Sequence, residues 1–346
     1  MRKLFFITIK ILLFISFVSC SNEEPLLDNS TTDVSFIIQR ATNSLEILHF
    51  KNSNNPTFTP IELETYIGEI VLMKKFRDKY YLLNKQRQKI FVLENISAPN
   101  ITEIDFSFTN IIVNDFCFPN ATDCYIVEKS SNVRVIDLTT NKLTNIEIKL
   151  SGIGSSIAGI GNQVYVTIPD KNLVEVIDTR TNSVDAKINV SNRPTIVNFT
   201  NNGKYAVVIA TGDGKDSSST SEPTSAMINV IDLETRNIYK NSILTGREQT
   251  AKDLKPNKMV ITSQFIYISA TTKNNVAGGY RISASNFSTT SMMIRNDCNS
   301  VIKNYNSVLF VENTEQSDSF ILFNSTNNEK VAEQNVGSIF NSACEK

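Results

Sequence analysis

Three hexapeptides, Val135-Ile-Asp-Leu-Thr-Thr, Val176-Ile-Asp-Thr-Arg-Thr and Val230-Ile-Asp-Leu-Glu-Thr, are variants of one strand-plus-turn unit. A chain that repeats such a unit must stack its copies, because one copy cannot bury its own apolar face. Each unit runs from an apolar strand into an Asp whose carboxylate accepts backbone N–H bonds from the turn that follows. The next strand then starts a few residues on.

The spacing of these markers sets the size of the unit. Asp137 and Asp178 lie 41 residues apart and Asp178 and Asp232 lie 54 apart, the excess falling in the polar tract at 211–225. Weaker copies read outward at Leu45-Glu-Ile-Leu-His49, Ile90-Phe-Val-Leu-Glu94, Tyr280-Arg-Ile-Ser283 and Phe320-Ile-Leu-Phe-Asn324. From His49 to Asn324 the mean period is 275/6, about 46 residues, which matches four short strands per propeller blade. The expected fold is therefore all-β, a seven-bladed β-propeller over residues 33–346. In the fifth blade the four strands are predicted at 195–199, 205–210, 227–232 and 237–244, with Asn201-Asn-Gly203 as the first hairpin. The first blade has no strand ahead of 34–39, so the segment 338–344 is expected to supply it and close the ring, removing two exposed edges.

The fullest copy is Asn162-Gln-Val-Tyr-Val-Thr-Ile-Pro-Asp-Lys-Asn-Leu-Val-Glu-Val-Ile-Asp-Thr-Arg-Thr, followed by Arg193-Pro and Asn201-Asn-Gly-Lys. It resembles the YVTN-type (YncE-like) repeat of bacterial surface propellers, closely over residues 125–240 and by pattern only beyond them. The resemblance implies a non-enzymatic binding propeller. Propellers similar to this one take part in cobalamin uptake.

The N-terminus reads as an export signal. Met1-Arg-Lys begins a basic stretch, residues 4–17 are apolar with Lys10 interrupting them, and Phe17-Val-Ser-Cys20 forms a lipobox. Residues 1–19 are thus expected to be a lipoprotein signal peptide, Cys20 the lipidated residue and 20–32 a tether; a retained anchor is the alternative. Glu23-Glu24 just beyond Cys20 resembles a surface-export signal. The outside of the outer membrane is the expected address, with a periplasm-facing anchor as the alternative.

Charge and side-chain chemistry narrow the function classes. With 34 basic and 35 acidic residues there is no electrostatic case for nucleic acid. The single histidine, His49, is read as a turn residue; a Ser-His-Asp site would have to use it and no nucleophile elbow accompanies it, and no Cys-x-x-Cys or Cys/His grouping supports a zinc site. No cofactor is expected. Four cysteines remain after Cys20, and an even number in an exported chain suggests either two disulfides or unpaired thiols. Cys117 and Cys124 flank a tight turn and are expected to pair, which leaves Cys298 for Cys344.

Recognition is expected on the face where the D-to-A and B-to-C connections meet, because both long insertions, 211–225 and 270–279, are B-to-C loops. The D-to-A connections there carry Tyr66, Asn114, Asp115, Arg193, Arg247, Arg295, Asn296 and Phe340, a set suited to an anionic or amide-rich small ligand. Two readings follow. One is ligand capture and delivery to a TonB-dependent transporter, for a cobalamin or siderophore; the other is an adhesion or scaffold propeller that binds glycan or protein. A propeller lyase or lactonase is disfavoured by the lack of clustered His and carboxylates.

Overall fold

The computed structural model describes residues 33–346 apart from 41–42, 52–55, 65, 213–224, 245–254, 272–277, 295–297, 305–306, 314–317, 327–328, 336–339 and 346. Residues 1–32, which include the expected signal peptide, Cys20 and the expected tether, lie outside the described residues with Arg247, Arg295 and Asn296, as do the side chains of Phe340 and Cys344.

The described chain forms seven four-stranded antiparallel sheets. Strands are lettered A to D from the axis outward, and blade 1 borrows its A strand from the other end of the chain. Its strands are Phe340–Glu345, Asp33–Arg40, Leu45–Lys51 and Thr57–Ile61. Blade 2 comprises Ile70–Phe76, Lys79–Asn84, Lys89–Leu93 and Ile101–Asp105, and blade 3 Val113–Cys117, Asp123–Glu128, Asn132–Asp137 and Lys142–Lys149. In blade 4 they are Ile157–Ile160, Gln163–Ile168, Leu173–Asp178 and Ser183–Asn189; in blade 5, Pro194–Phe199, Tyr205–Ala210, Met227–Asp232 and Ile238–Ile243. Blade 6 holds Lys255–Ile261, Phe265–Thr271, Gly279–Ser283 and Thr289–Ile294, and blade 7 Cys298–Asn304, Ser307–Asn313, Asp318–Asn324 and Lys330–Asn335.

Every marker segment is a C strand, so the repeat reading and the ring closure both hold. The closing strand pairs antiparallel with Asp33–Arg40, Cys344 opposite Ile37. Each Asp marker makes the turn expected of it: the Asp137 Oδ1 accepts from the Thr139 N–H at 2.7 Å, Asp178 takes the same bond from Arg180 and Asp232 from Glu234, with a further bond from the Thr235 N–H. Gly203 adopts φ +63°, the left-handed conformation that the Asn201-Asn-Gly hairpin requires.

Strand interiors are apolar on both faces because each blade is packed between two others. In strand B of blade 5, Ala206 and Val208 join the cluster shared with blade 4, while Val207 and Ile209 join the one shared with blade 6. Similar clusters seal the remaining interfaces, including Phe36, Leu48 and Phe50 against Leu309 and Phe320 across the closure. Each fully buried Val, Leu, Ile or Phe contributes about 1.5–3 kcal/mol.

Two expectations are corrected. His49 is a strand residue, not a turn residue: it lies within Leu45–Lys51 opposite Ser35, whose hydroxyl is 2.8 Å from its Nδ1. The Cys117–Cys124 disulfide does not form. Cys117 stands directly opposite Tyr125 in the ladder, so Cys124, one residue earlier, points through the other face of the sheet. Accordingly Cys117 is buried between blades 3 and 4 and Cys124 between blades 2 and 3, both as free thiols, with burial pushing both thiols well up from their ordinary range. Cys298 is buried between blades 6 and 7. Its expected link to Cys344 falls on a side chain outside the described residues.

Candidate ligand-binding face and central channel

The A strands surround the axis, and nearly all of them carry the same irregularity. One extra residue bulges out near the D–A end: the register slips between Ile70 and Leu72, Val113 and Asp115, Pro194 and Ile196, Pro256 and Lys258, Cys298 and Ser300. The bulge residue is left unpaired in its own ladder, and a polar side chain there reaches the next blade. The Asn114 Nδ2 donates to the Gly154 carbonyl at 2.7 Å, and the Asn257 Nδ2 to the Cys298 carbonyl at 3.0 Å. Ser155, ahead of the blade 4 A strand, makes the matching bond to the Thr195 carbonyl at 3.3 Å.

Asp115 completes a larger clasp. Its Oδ1 accepts from the Lys74 Nζ of blade 2 at 2.6 Å, and its Oδ2 from the Ser156 hydroxyl and Ile157 N–H of blade 4 at 3.0 and 3.1 Å. Lys74 also donates to the Phe116 carbonyl at 2.5 Å. Both carboxylate oxygens are thus engaged, and the side chain is only 14% exposed. Asn114 and Asp115 lie at the channel mouth as expected, but their hydrogen-bonding groups hold blades together.

The D–A connections are tied down in the same way. The buried Glu175 and Asn229, each three residues ahead of a marker Asp, accept from the Ser151 N–H at 3.0 Å and the Ser191 N–H at 2.9 Å. Arg193 sits in the left-handed conformation, φ +57°, with its N–H bonded to Asn172 Oδ1 and its carbonyl to the Thr211 N–H. Its side chain is exposed. Tyr66 is 79% exposed, its hydroxyl accepting from Asn43 Nδ2 at 3.1 Å.

Two features of this face escape the sequence reading. Phe108 and Ile153 are 94% and 51% exposed and lie, like Tyr66, on D–A connections, so three successive connections each present a large apolar side chain. Beside Ile153 is a recess of about 430 Å³ lined by Arg87, Asn114, Gly154, Ser155 and Asp170. Arg87 is anchored through Nη1 on the Asn114 and Val113 carbonyls at 2.8 and 3.2 Å. The second feature is the channel, a cavity of about 680 Å³ bounded by the A strands of blades 2 to 7. A period-2 pattern marks buried residues but does not say which of them border the axis.

Among the described residues no three His, Cys, Asp or Glu side chains gather as a metal site. Asp178 is held down to about 2 by hydrogen bonds from the Arg180 side chain and N–H, which favours an ion-paired turn residue over a proton carrier.

No family model matches the chain, and no curated protein matches its sequence. Solved structures do. Hydrazine synthase of Kuenenia stuttgartiensis superposes with a TM-score of 0.59 at 15% identity, covering 75% of this chain and 78% of that one. Dihydro-heme d1 dehydrogenase NirN gives 0.55 at 10% identity, over 89% and 74%, and a functionally unknown protein from Desulfotomaculum acetoxidans gives 0.61 at 11%, over 89% and 99%. At these identities the likeness is one of fold. Two of the three are enzymes, so the propeller itself is silent on catalysis.

Proposed function

We propose that this chain is a non-catalytic binding propeller, anchored to the outside of the outer membrane through lipid on Cys20, that captures a ligand on its D–A/B–C face and passes it to a TonB-dependent transporter. The observation that carries the reading is the row of Tyr66, Phe108 and Ile153. An isolated exposed apolar residue needs no explanation. Large apolar side chains on three successive connections of one face have the character of an interaction surface. The anchored Arg87, the exposed Arg193 and the recess beside Ile153 supply polar contacts to a bound molecule. The resemblance to YVTN-type surface propellers favours a cobalamin or siderophore as cargo.

The second reading, adhesion to a glycan or protein, has its own support in blade 5. Tyr239, 57% exposed on the outer strand, packs at ring separations of 4.8 and 6.1 Å against the half-buried Tyr205 and the buried Phe287 of blade 6, which hold one exposed ring in place for stacking.

Thermal-shift screening of cobalamins, ferric siderophores and glycans separates the two. A captured ligand at a hundred times its Kd is expected to stabilise by about 2.7 kcal/mol. Tyr66→Ala, Phe108→Ala and Ile153→Ala together are expected to leave the fold intact and weaken capture or transporter binding at least tenfold. Binding of polymeric glycan alone, unchanged in the triple variant, would establish adhesion in place of capture.

A further inference from the structure

We infer that the central channel is itself a binding site, selective for a small multivalent oxyanion such as a phosphate ester or polycarboxylate. The charge of this protein is evenly balanced overall, 34 basic against 35 acidic residues. The channel is not. Its described lining includes Lys74, Lys75, Arg87, Lys258 and Lys303 against the one carboxylate of Asp115. A cleft lined by one sign of charge between low-dielectric walls focuses its potential and concentrates counter-ions.

The cations are also placed for a common occupant. Lys258 stands one residue beyond its bulge, Lys74 three, and Lys75 and Lys303 four. At ~3.3 Å per strand residue this band is about 10 Å deep. Two of the ammonium groups are held by backbone carbonyls at blade interfaces: Lys303 Nζ on Ile261 at 2.8 Å and Lys74 Nζ on Phe116 at 2.5 Å. Such anchoring lowers the entropy lost when a ligand arrives, because an ammonium keeps further donors for it. The cations come from blades 2, 6 and 7. Across the axis, blade 5 presents Asn198, whose Oδ1 accepts from the Phe199 N–H and whose amide nitrogen is a donor for the uncharged oxygens of the same molecule. The channel volume of about 680 Å³ lies within the ~300–1,000 Å³ of small-molecule sites.

This site shares Arg87, Asn114 and Ser155 with the recess beside Ile153 but includes none of Tyr66, Phe108 and Ile153, so it stands whether or not that row docks a partner. The test is calorimetric titration of the folded chain with inorganic phosphate, pyrophosphate and citrate at fixed ionic strength. Saturable binding of at least one is expected, with the phosphates or citrate favoured according to which oxyanion the channel fits. Lys258→Gln with Lys303→Gln is expected to weaken it at least tenfold, while Lys258→Arg with Lys303→Arg stays within a few-fold. The triple variant at Tyr66, Phe108 and Ile153 is expected to bind as the parent does. Non-saturable responses to all three anions, or parent-like affinity in the double Gln variant, would overturn the site. Lysine-resolved NMR of the parent reads the same point without mutation: whichever of the three anions binds saturably must shift Lys258 and Lys303, and shifts confined to other lysines count against the site.

Discussion

Asp115 illustrates how a residue type suited to ligand binding becomes a structural one. Position and polarity mark it, with Asn114, as a group at the mouth of the ring, and both are found there. What the sequence does not reveal is the bulge between Val113 and Asp115, which brings the carboxylate within reach of Lys74, Ser156 and Ile157. Removing it leaves an ammonium and a backbone N–H without their acceptor, at a cost of about 1–3 kcal/mol. Asp115→Ala is therefore expected to lower the urea midpoint of unfolding, and to do so less in a Lys74→Met background, where no cation remains unpaired. An unchanged midpoint would return Asp115 to the list of ligand contacts. The cysteines teach a related lesson. Cys117 and Cys124 are close in sequence across a hairpin, yet the one-residue offset in register sends them to opposite faces, which only the ladder reveals.

At the scale of elements, the C strands were the legible part. Their Val-Ile-Asp pattern combines buried alternation with a turn residue whose hydrogen bonds are local, so both signals survive without any knowledge of neighbours. In blade 5 the B and C strands match their expected limits, Tyr205–Ala210 and Met227–Asp232, residue for residue. The A strand of blade 5, expected at 195–199, is found at Pro194–Phe199; what the period does not show is its bulge, nor the polar side chains that bond from such bulges to the next blade. The closing strand was legible by elimination: a first blade lacking an inner strand needs one from elsewhere. Its pairing with Asp33–Arg40, together with the cluster joining blade 7 to blade 1, makes the closure a stabilising feature of the whole ring. Deleting residues 338–346 unpairs the inner edge of blade 1, so the truncated protein is expected to aggregate or to melt far below the parent in a thermal scan. Retention of the parent melting temperature would mean that the ring does not depend on this strand.

For the molecule as a whole, the two expected functional surfaces place different demands on its address. A propeller that captures a scarce compound and hands it to an outer-membrane transporter must stand where both are accessible, whereas an anion-binding channel would serve on either side of that membrane. The basic start, the apolar run and the cysteine at position 20 of the sequence support lipid attachment, and Glu23-Glu24 supports display outside. Cys20→Ser is expected to abolish lipidation and release the protein from the membrane fraction. Glu23→Ala with Glu24→Ala is expected to leave it lipidated but facing inward, protected from protease added to intact cells. Neither change touches a described residue of the ring, so both variants should fold and melt as the parent does, separating address from stability. If the double variant is shaved from intact cells as readily as the parent, the acidic pair is not an export signal; if the parent itself resists shaving while the membrane is sealed, capture at the surface is excluded.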